Sequence, residues 1–270
     1  MMKPADVATT RVVVRLATTM YGFFIPSFVV AKNMPEVCKA VGIDNIDFRF
    51  DPSGLTATVG HISTFIPVST NFHIANAAAV EKICEALIAH DLTVEEADRE
   101  IGRISNRGGL YPPWLRACAW GVQTAGLSAI IFKSTVTGIW LSGIIGLFEG
   151  LFEEYLKRDK HPHVAMLEIY ICGVLSSIVL LACHGAGWLD CPSMPYLSIM
   201  AIHLPGTMAT FGVMEMLTGH TVCGASRFTS SMITANLIAM GYTTAGWIIK
   251  WLYVDILGTY MDPAQCPTSD

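Results

Sequence analysis

One stretch of the sequence determines the fold: residues 195–227, PYLSIMAIHLPGTMATFGVMEMLTGHTVCGASR. This stretch is apolar enough to cross a bilayer, yet Pro205 and Gly206 interrupt it. A glutamate follows at position 215, and a glycine-rich turn leads to Arg227. A broken apolar helix that holds an acid and ends near an arginine is typical of a transport site rather than of a simple anchor.

The composition predicts an integral membrane protein. Of the 270 residues, 52% are hydrophobic and only 14% are charged, whereas soluble domains carry roughly 25% charged residues. The first 112 positions hold 22 of the 39 charged side chains, so a polar part precedes the membrane part. The net charge of −5 gives no reason to expect a nucleic acid partner.

Several functional signatures are missing from the sequence. The eight cysteines form no CxxC pair, and there is no P-loop or metal-binding spacing. The segment around Ser226 does not follow the GxSxG pattern of serine hydrolases. No convincing secretory cleavage site closes the first apolar run. We therefore predict no catalytic residue, no cofactor and no metal, and the chain is not interpreted as an enzyme.

Residues 1–112 predict a small cytoplasmic α+β domain. Apolar positions at helical spacing predict one long helix over residues 7–42. Alternating segments separated by turn residues predict strands over 44–50, 55–60 and 63–70. Two more helices are expected over 75–90 and from Thr93, an N-cap followed by acids, through Ile104. Glycines and prolines at 106–113 mark the domain boundary.

Residues 113–254 predict five transmembrane helices, because five apolar segments each have the roughly 20 residues that cross about 30 Å of hydrocarbon. The segments are 114–132, 136–156, 164–183, 196–217 and 228–252. Residues 255–270 are expected to form an extracytoplasmic tail. The predicted fold class is therefore a mainly α membrane protein, with five transmembrane helices after the α+β domain.

Lysines and arginines set the expected orientation. Lys157, Arg158 and Lys160 fill the second loop, whereas the third loop has none. The positive-inside rule then places the amino terminus in the cytoplasm. Cys183 and Cys191 would face outward in this topology, and a disulfide between them is one alternative.

The break at Pro205 is the first candidate site. Proline cannot donate to the carbonyl four residues earlier, so Gly206 and Thr207 start a second half-helix. The positive end of such a half-helix can hold a substrate carboxylate near the middle of the membrane. The alternative is a proline kink without a binding role.

The charged residues of the apolar part allow several roles. Glu215 can pair with Arg227, couple protons, or lie near the interface. Arg227 can clamp a carboxylate or only fix the topology. Glu149 lies deeper than Glu153 on the same helix face and is a second candidate for coupling. His203 is interpreted as a packed or interfacial histidine, and Gly146-x-x-x-Gly150 as a helix-packing motif.

An ordered set of motifs resembles the threonine/serine exporter family, specifically its amino-terminal half. The resemblance runs from about residue 11 to residue 253. Its residues are Gly22, Glu95-Glu96-Ala97, Ile101, Ile104, Tyr111-Pro112-Pro113-Trp114, Leu204-Pro205-Gly206, Glu215, Gly219, Gly224, Ser226 and Arg227.

This resemblance implies secondary transport by alternating access, in a cell (inner) membrane. Single-chain members carry a second block of membrane helices after this one, and this sequence has only the first block. The resemblance therefore implies the larger subunit of a split exporter that works with a smaller membrane partner. A further expected partner is a second copy of the chain, as a homo-oligomer. Threonine, serine or a dicarboxylate such as succinate is the implied substrate. We assign Pro205, Gly206, Thr207 and Arg227 to substrate binding. Glu215 and Glu149 are assigned to coupling or charge pairing.

Two alternatives remain at this point. A non-transporting regulatory or assembly subunit would carry its function in the cytoplasmic domain. A membrane-embedded enzyme would show turnover without vectorial movement, but the sequence offers no catalytic constellation for it.

Overall fold

A computed structural model describes residues 4–43, 46–70, 73–106, 111–155 and 162–252. The elements in chain order are α1 (Pro4–Gly22), α2 (Ser27–Ala40), β1 (Ile46–Asp51), β2 (Gly54–Val59), β3 (Ile62–Pro67), α3 (Ile74–Ile88), α4 (Val94–Ser105), α5 (Pro113–Ile130), α6 (Val136–Tyr155), α7 (Pro162–Gly185), α8 (Ser193–Met200), α9 (Gly206–Leu217) and α10 (Thr221–Trp251).

The chain forms two compact units. The first contains Met1–Gly108 together with Thr207–Thr229, and the second contains Gly109–Gly206 and Ser230–Asp270. The first unit therefore includes α9 and the start of α10, a segment that the sequence placed in the membrane part.

The first unit packs four helices and a small sheet around one apolar core. The strands form an antiparallel meander in the order β1-β2-β3. In its register, Phe48 lies opposite Ala57 and Leu55 lies opposite Ile66. Leu16 of α1, Leu55 of β2 and Ile101 of α4 are completely buried in this core. The predicted α+β character is thus present in the described residues.

The single long helix predicted over residues 7–42 is wrong, because the structure has two helices there. α1 ends at Gly22 and α2 begins at Ser27. Proline disfavours the helical conformation of the residue before it, and Pro26 becomes the N-cap position of α2. Phe24 takes a φ of 70°, a left-handed conformation that interrupts the helix between α1 and α2.

The predicted N-cap of α4 is confirmed. The Thr93 hydroxyl accepts a hydrogen bond from the Glu96 amide at 3.3 Å, and the Thr93 amide donates to the Glu96 carboxylate at 3.0 Å. These reciprocal bonds form a capping box. They also hold the pKa of Glu96 below its usual value. The carboxylate's contribution is therefore present above the unfolded pKa and is lost as the pH falls through the folded one.

Replacing Thr93 with alanine is expected to weaken α4 by about 1 kcal/mol, because the amides of the first turn lose their acceptor. Such a loss increases hydrogen exchange of the first-turn amides by about fivefold. Hydrogen exchange of the full-length protein in detergent, followed on residues 94–105, tests this. Thr70→Ala, outside any helix cap, is the control. Equal exchange in the wild type and Thr93→Ala would contradict the capping role.

Three helices of the described chain are long and apolar enough to cross a membrane: α6, α10 and the segment Leu167–Gly185 of α7. The other two predicted spans stay predictions. Residues 114–132 correspond to α5, and residues 196–217 comprise α8 and α9. The predicted break in that last segment is present, because α8 ends at Met200 and α9 starts only after Pro205.

Small residues hold α5 and α6 together in the second unit. A Cβ atom added to Gly146 would meet the Thr124 side chain, and one added to Gly150 would lie 2.9 Å from Ala117 Cα. The Thr124 hydroxyl also donates to the Ser142 carbonyl at 2.8 Å. The predicted packing role of the glycine motif is therefore confirmed.

The structure does not contain the disulfide considered from the sequence. Cys183 is a free thiol, whereas Cys191 is disulfide-bonded, so these two residues do not pair with each other. The cations behind the predicted orientation, Lys157, Arg158 and Lys160, lie outside the described residues. The predicted tail 255–270 and the glycines of the predicted boundary, Gly108 and Gly109, also lie outside them.

Candidate functional site

A turn at Gly219 brings α9 and the start of α10 together in the first unit. Gly219 takes a φ of 90°, which glycine adopts without a steric penalty. The His220 amide donates to the Glu215 carbonyl at 2.9 Å and so closes the end of α9. This turn lets α10 start immediately beside α9 and run back along it.

Two further glycines let α9 and α10 approach closely. A Cβ atom added to Gly224 would lie 2.5 Å from the Gly212 carbonyl oxygen, and one added to Gly212 would lie 2.8 Å from the Phe228 amide. Side chains longer than hydrogen would force the helices apart. The close approach places Glu215 of α9 next to Arg227 of α10.

Glu215 and Arg227 form a buried ion pair. One Nη atom of Arg227 lies 3.1 Å from Oε1 of Glu215, and their side chains are 8% and 0% exposed. The same Oε1 accepts the Ser27 amide at 2.7 Å. Because Ser27 is the first residue of α2, the carboxylate caps that helix and meets the positive end of its dipole. Of the alternatives open from the sequence, the structure thus contains the pairing of Glu215 with Arg227.

Aromatic rings cover the guanidinium group. The Cζ atom of Arg227 lies 4.6 Å from the Phe24 ring centroid and 5.4 Å from that of Tyr21. Both distances are within the range of cation–π attraction. The Phe24 ring reaches this place because residue 24 has a left-handed backbone after α1, where the Ile25 amide bonds the Met20 carbonyl.

Hydrogen bonds also connect this site to the sheet. The Tyr21 hydroxyl donates to the Asp51 carbonyl at 2.9 Å, and the Cys223 thiol donates to the Phe50 carbonyl at 3.1 Å. Burial raises the pKa of Tyr21, so the hydroxyl stays protonated as a donor. The start of α10 is therefore fixed to α1 and β1 within this unit.

The buried pair is not fully hydrogen-bonded. Four buried polar atoms have no well-aligned hydrogen-bond partner among the described residues: Oε2 of Glu215, Oγ of Ser27 and both Nη atoms of Arg227. Unsatisfied buried polar atoms at a charged cluster are uncommon and call for a functional or structural explanation.

The predicted substrate residues at the break lie at the start of α9. Gly206 and Thr207 are exposed, and Pro205 is half-buried. A Cβ atom added to Gly206 would have no neighbour within 4 Å. Glu215 follows Gly206 by nine residues on the same helix, or about 13 Å along its axis.

A second acidic site lies in the second unit. Glu149 of α6 is 6% exposed, and its Oε1 accepts the Ser176 hydroxyl of α7 at 2.6 Å. Its Oε2 lies 3.7 Å from Nε2 of His203, between α8 and α9. Neither Oε2 nor this Nε2 has a hydrogen-bond partner in the part of the chain that the structure describes. The His203 ring packs edge-on against Trp120, with 5.5 Å between the centroids.

Glu149 and Ser176 also line an apolar groove between α6 and α7. The groove has a volume of about 640 Å³, and its other walls include Phe148, Phe152 and Leu175. Glu149 is therefore a carboxylate in largely apolar surroundings that is reachable from one side of the unit.

Comparison with known families decides the class of the protein. A family model described as "Putative threonine/serine exporter" (ThrE) matches residues 11–249. The chain belongs to the ThrE family. The resemblance carried by the sequence motifs is thereby confirmed, and the ThrE assignment makes this a membrane protein of a transporter family rather than of an enzyme family.

The ThrE chain is also similar to larger yeast proteins named "Pheromone-regulated membrane protein 10". The protein of Candida albicans (strain WO-1) is 22% identical over 250 residues, which are 90% of this chain and 22% of the relative. Those of Kluyveromyces lactis and Eremothecium gossypii are 21% and 22% identical over 260 residues, covering 91% of this chain and 26% and 34% of the relatives.

The ThrE chain thus spans between a fifth and about a third of the length of these relatives. No solved structure matches it. The relatives are yeast membrane proteins, so they support a membrane location but not the expected inner membrane.

Sequence reasoning offered Arg227 as a partner of Glu215 but missed the other contacts of Glu215 and the partners of Glu149. Ser27, Phe24 and Tyr21 gave no signal, because they are distant in sequence from Glu215 and Arg227. His203 was interpreted as a packed or interfacial histidine, although it lies only four positions before Thr207. A histidine so close to a break in an apolar helix was the available signal.

Proposed function

We propose that this chain is a subunit of a secondary-type exporter for small metabolites that carry a carboxylate, such as threonine, serine or a dicarboxylate like succinate. The observation that carries the proposal is the break before α9 in a ThrE chain. A helix that starts inside an apolar segment offers amide groups and a positive dipole end, which suit an anion.

The start of α9 is the proposed substrate contact, formed by Pro205, Gly206 and Thr207. Exposure of Gly206 and Thr207 supports this role, because a solute must reach the backbone there. The open space around Gly206 allows the close approach that backbone recognition of a carboxylate needs. The Thr207 hydroxyl would add a donor for a carboxylate or an acceptor for a substrate amine.

Arg227 is the second proposed substrate contact. One of its Nη atoms is held by Glu215, and the other has no hydrogen-bond partner among the described residues. A guanidinium binds carboxylates through two parallel bonds. Glu215 balances the charge of Arg227 in the structure described here. The pair would have to loosen before Arg227 could bind a substrate, which suits a protein that alternates between states.

The remaining parts of the proposal concern partners and topology. We propose that a smaller membrane subunit completes the translocation path, as in split members of the family, with a homo-oligomer as the simpler assembly. The amino terminus is proposed to be cytoplasmic, on the basis of the lysines and arginines at positions 157–160.

An efflux assay tests the function. Cells that lack their own exporters of serine, threonine and succinate would be loaded with each solute, with and without the small membrane partner. We expect the chain and its partner together to lower the intracellular concentration of at least one solute. Gly206→Val is expected to reduce this efflux by about tenfold, because a side chain would block the carboxylate contact.

Gly246→Val on α10 is the matched control, since a Cβ atom there also meets no neighbour within 4 Å. Normal efflux in Gly206→Val, at equal membrane levels, would refute the assignment of the α9 start. No efflux of any solute, with stable co-purification of another protein on the first unit, would favour the regulatory or assembly role instead.

A further inference from the structure

We infer that Glu149 and His203 together form the proton-binding site of this transporter, with Ser176 as the residue that positions the carboxylate. The inference rests on the proposed export function and names its driving ion. It selects Glu149 rather than Glu215 as the carrier, and it gives His203 a role beyond packing.

The first argument is geometric. The Ser176 hydroxyl occupies Oε1 of Glu149 at 2.6 Å, so Oε2 is the atom left to take a proton. That atom faces Nε2 of His203 at 3.7 Å, and neither has a hydrogen-bond partner. A movement of about 1 Å would bring the two atoms to hydrogen-bonding distance.

The second argument concerns charge. With His203 neutral and Glu149 ionised, the pair carries a charge of −1 in buried surroundings, which is unfavourable. Binding one proton makes the pair neutral, whether the proton stays on Oε2 or moves to Nε2 and leaves a carboxylate beside an imidazolium. Release of that proton restores the charge of −1. The site therefore exchanges one proton and needs no further reactant.

The described side chains at this site do not suit a metal cation or a substrate carboxylate. A hard metal cation requires about six oxygen ligands, whereas this site offers one carboxylate and one hydroxyl. No group of three or more metal-binding side chains occurs in the described part of the chain. The carboxylate of a substrate would be repelled by Glu149, so a proton is the occupant that fits.

The other ionisable groups near the site leave this assignment unchanged. Arg116 of α5 is already engaged by Glu154 of α6. The phenol of Tyr196 on α8 donates to the Ile238 carbonyl at 2.6 Å. On α7, Glu168 is two helical turns before Ser176. None of these groups is a cation placed to hold Glu149 permanently ionised.

Glu215 differs from Glu149 in this respect. Its partner is an arginine, which remains charged at all physiological pH values, and its Oε1 also accepts an amide at a helix start. Histidine is instead the side chain whose charge changes near neutral pH, so the pair of Glu149 with His203 can respond to a proton gradient.

Two transport measurements on proteoliposomes containing the complete exporter test the inference. One is net efflux driven by a pH gradient, and the other is exchange of labelled for unlabelled solute without a gradient. Glu149→Gln is expected to lower the rate of gradient-driven efflux at least about tenfold, while exchange continues. His203→Gln is expected to change the pH profile of efflux. Glu153→Gln, one helix turn away on α6, is the matched control and should leave both measurements unchanged.

A third measurement does not depend on transport. Infrared difference spectra of the purified protein between high and low pH are expected to contain a protonated carboxyl band that disappears in Glu149→Gln and persists in Glu153→Gln. If the wild type exports nothing but this band is found, the proposed function fails and the proton site stands. If the band is unaffected by Glu149→Gln, or a sodium gradient alone drives efflux, the inference is overturned.

Discussion

Replacing Arg227 with methionine is expected to destabilise the protein by about 3–5 kcal/mol, because Glu215 would become a buried charge without its counter-charge. Glu215 is completely buried, so water cannot compensate for the loss. The stacking of the guanidinium on Phe24 and Tyr21 would be lost as well. Thermal unfolding of the purified protein in detergent measures the effect.

A double variant and a control separate the ion pair from simple loss of packing. Glu215→Gln combined with Arg227→Met removes both charges and should recover much of the lost stability. Arg15→Met is the control, since Arg15 and Asp98 form a pair at 2.7 Å whose side chains are 42% and 43% exposed. Such an exposed pair contributes about 0–1 kcal/mol. If Arg227→Met cost no more than Arg15→Met, the buried pair would not stabilise the fold.

Replacing Gly224 with alanine is expected to lower the free energy of unfolding by about 1–3 kcal/mol, because the new methyl group has no room between α9 and α10. It would lie 2.5 Å from the Gly212 carbonyl oxygen and 2.7 Å from the Met216 amide, and backbone atoms cannot rotate away. Separation of the helices would also pull Glu215 away from Arg227. Thermal unfolding in detergent is again the measurement.

Gly246→Ala is the matched substitution on the same helix. Its methyl group would meet nothing within 4 Å, so the higher helix propensity of alanine should make it neutral or stabilising by up to about 1 kcal/mol. Equal melting temperatures of the two alanine variants would mean that the close approach at Gly224 does not matter for stability.

The features that were predictable from the sequence have local causes. Pro205 predicts the break before α9, because proline removes a hydrogen bond within its own helix. Thr93, followed by Glu96, predicts the start of α4, because both partners of the capping box lie within one turn. In each case the residues that decide the structure are neighbours in the chain.

Apart from the pairing of Glu215 with Arg227, the partners of the acids were not predictable, because they depend on tertiary packing. Glu215 meets the Ser27 amide across 188 residues, and no local pattern specifies that contact. The error over residues 7–42 has a related origin, since helical spacing of apolar residues continues through Pro26 although the helix does not. Glu149 could be identified as a deep acid, but its partner on α7 follows only from how the helices pack.

The backbone at position 24 restricts which amino acids can stand there. A positive φ favours glycine or asparagine over a bulky residue, whereas attraction to a guanidinium favours a large aromatic ring. Glycine would relax the main chain and leave the cation of residue 227 uncovered on that side. Tyrosine or tryptophan would keep a ring but retain the conformational cost. Position 24 therefore combines two opposing demands, and few substitutions satisfy both at once.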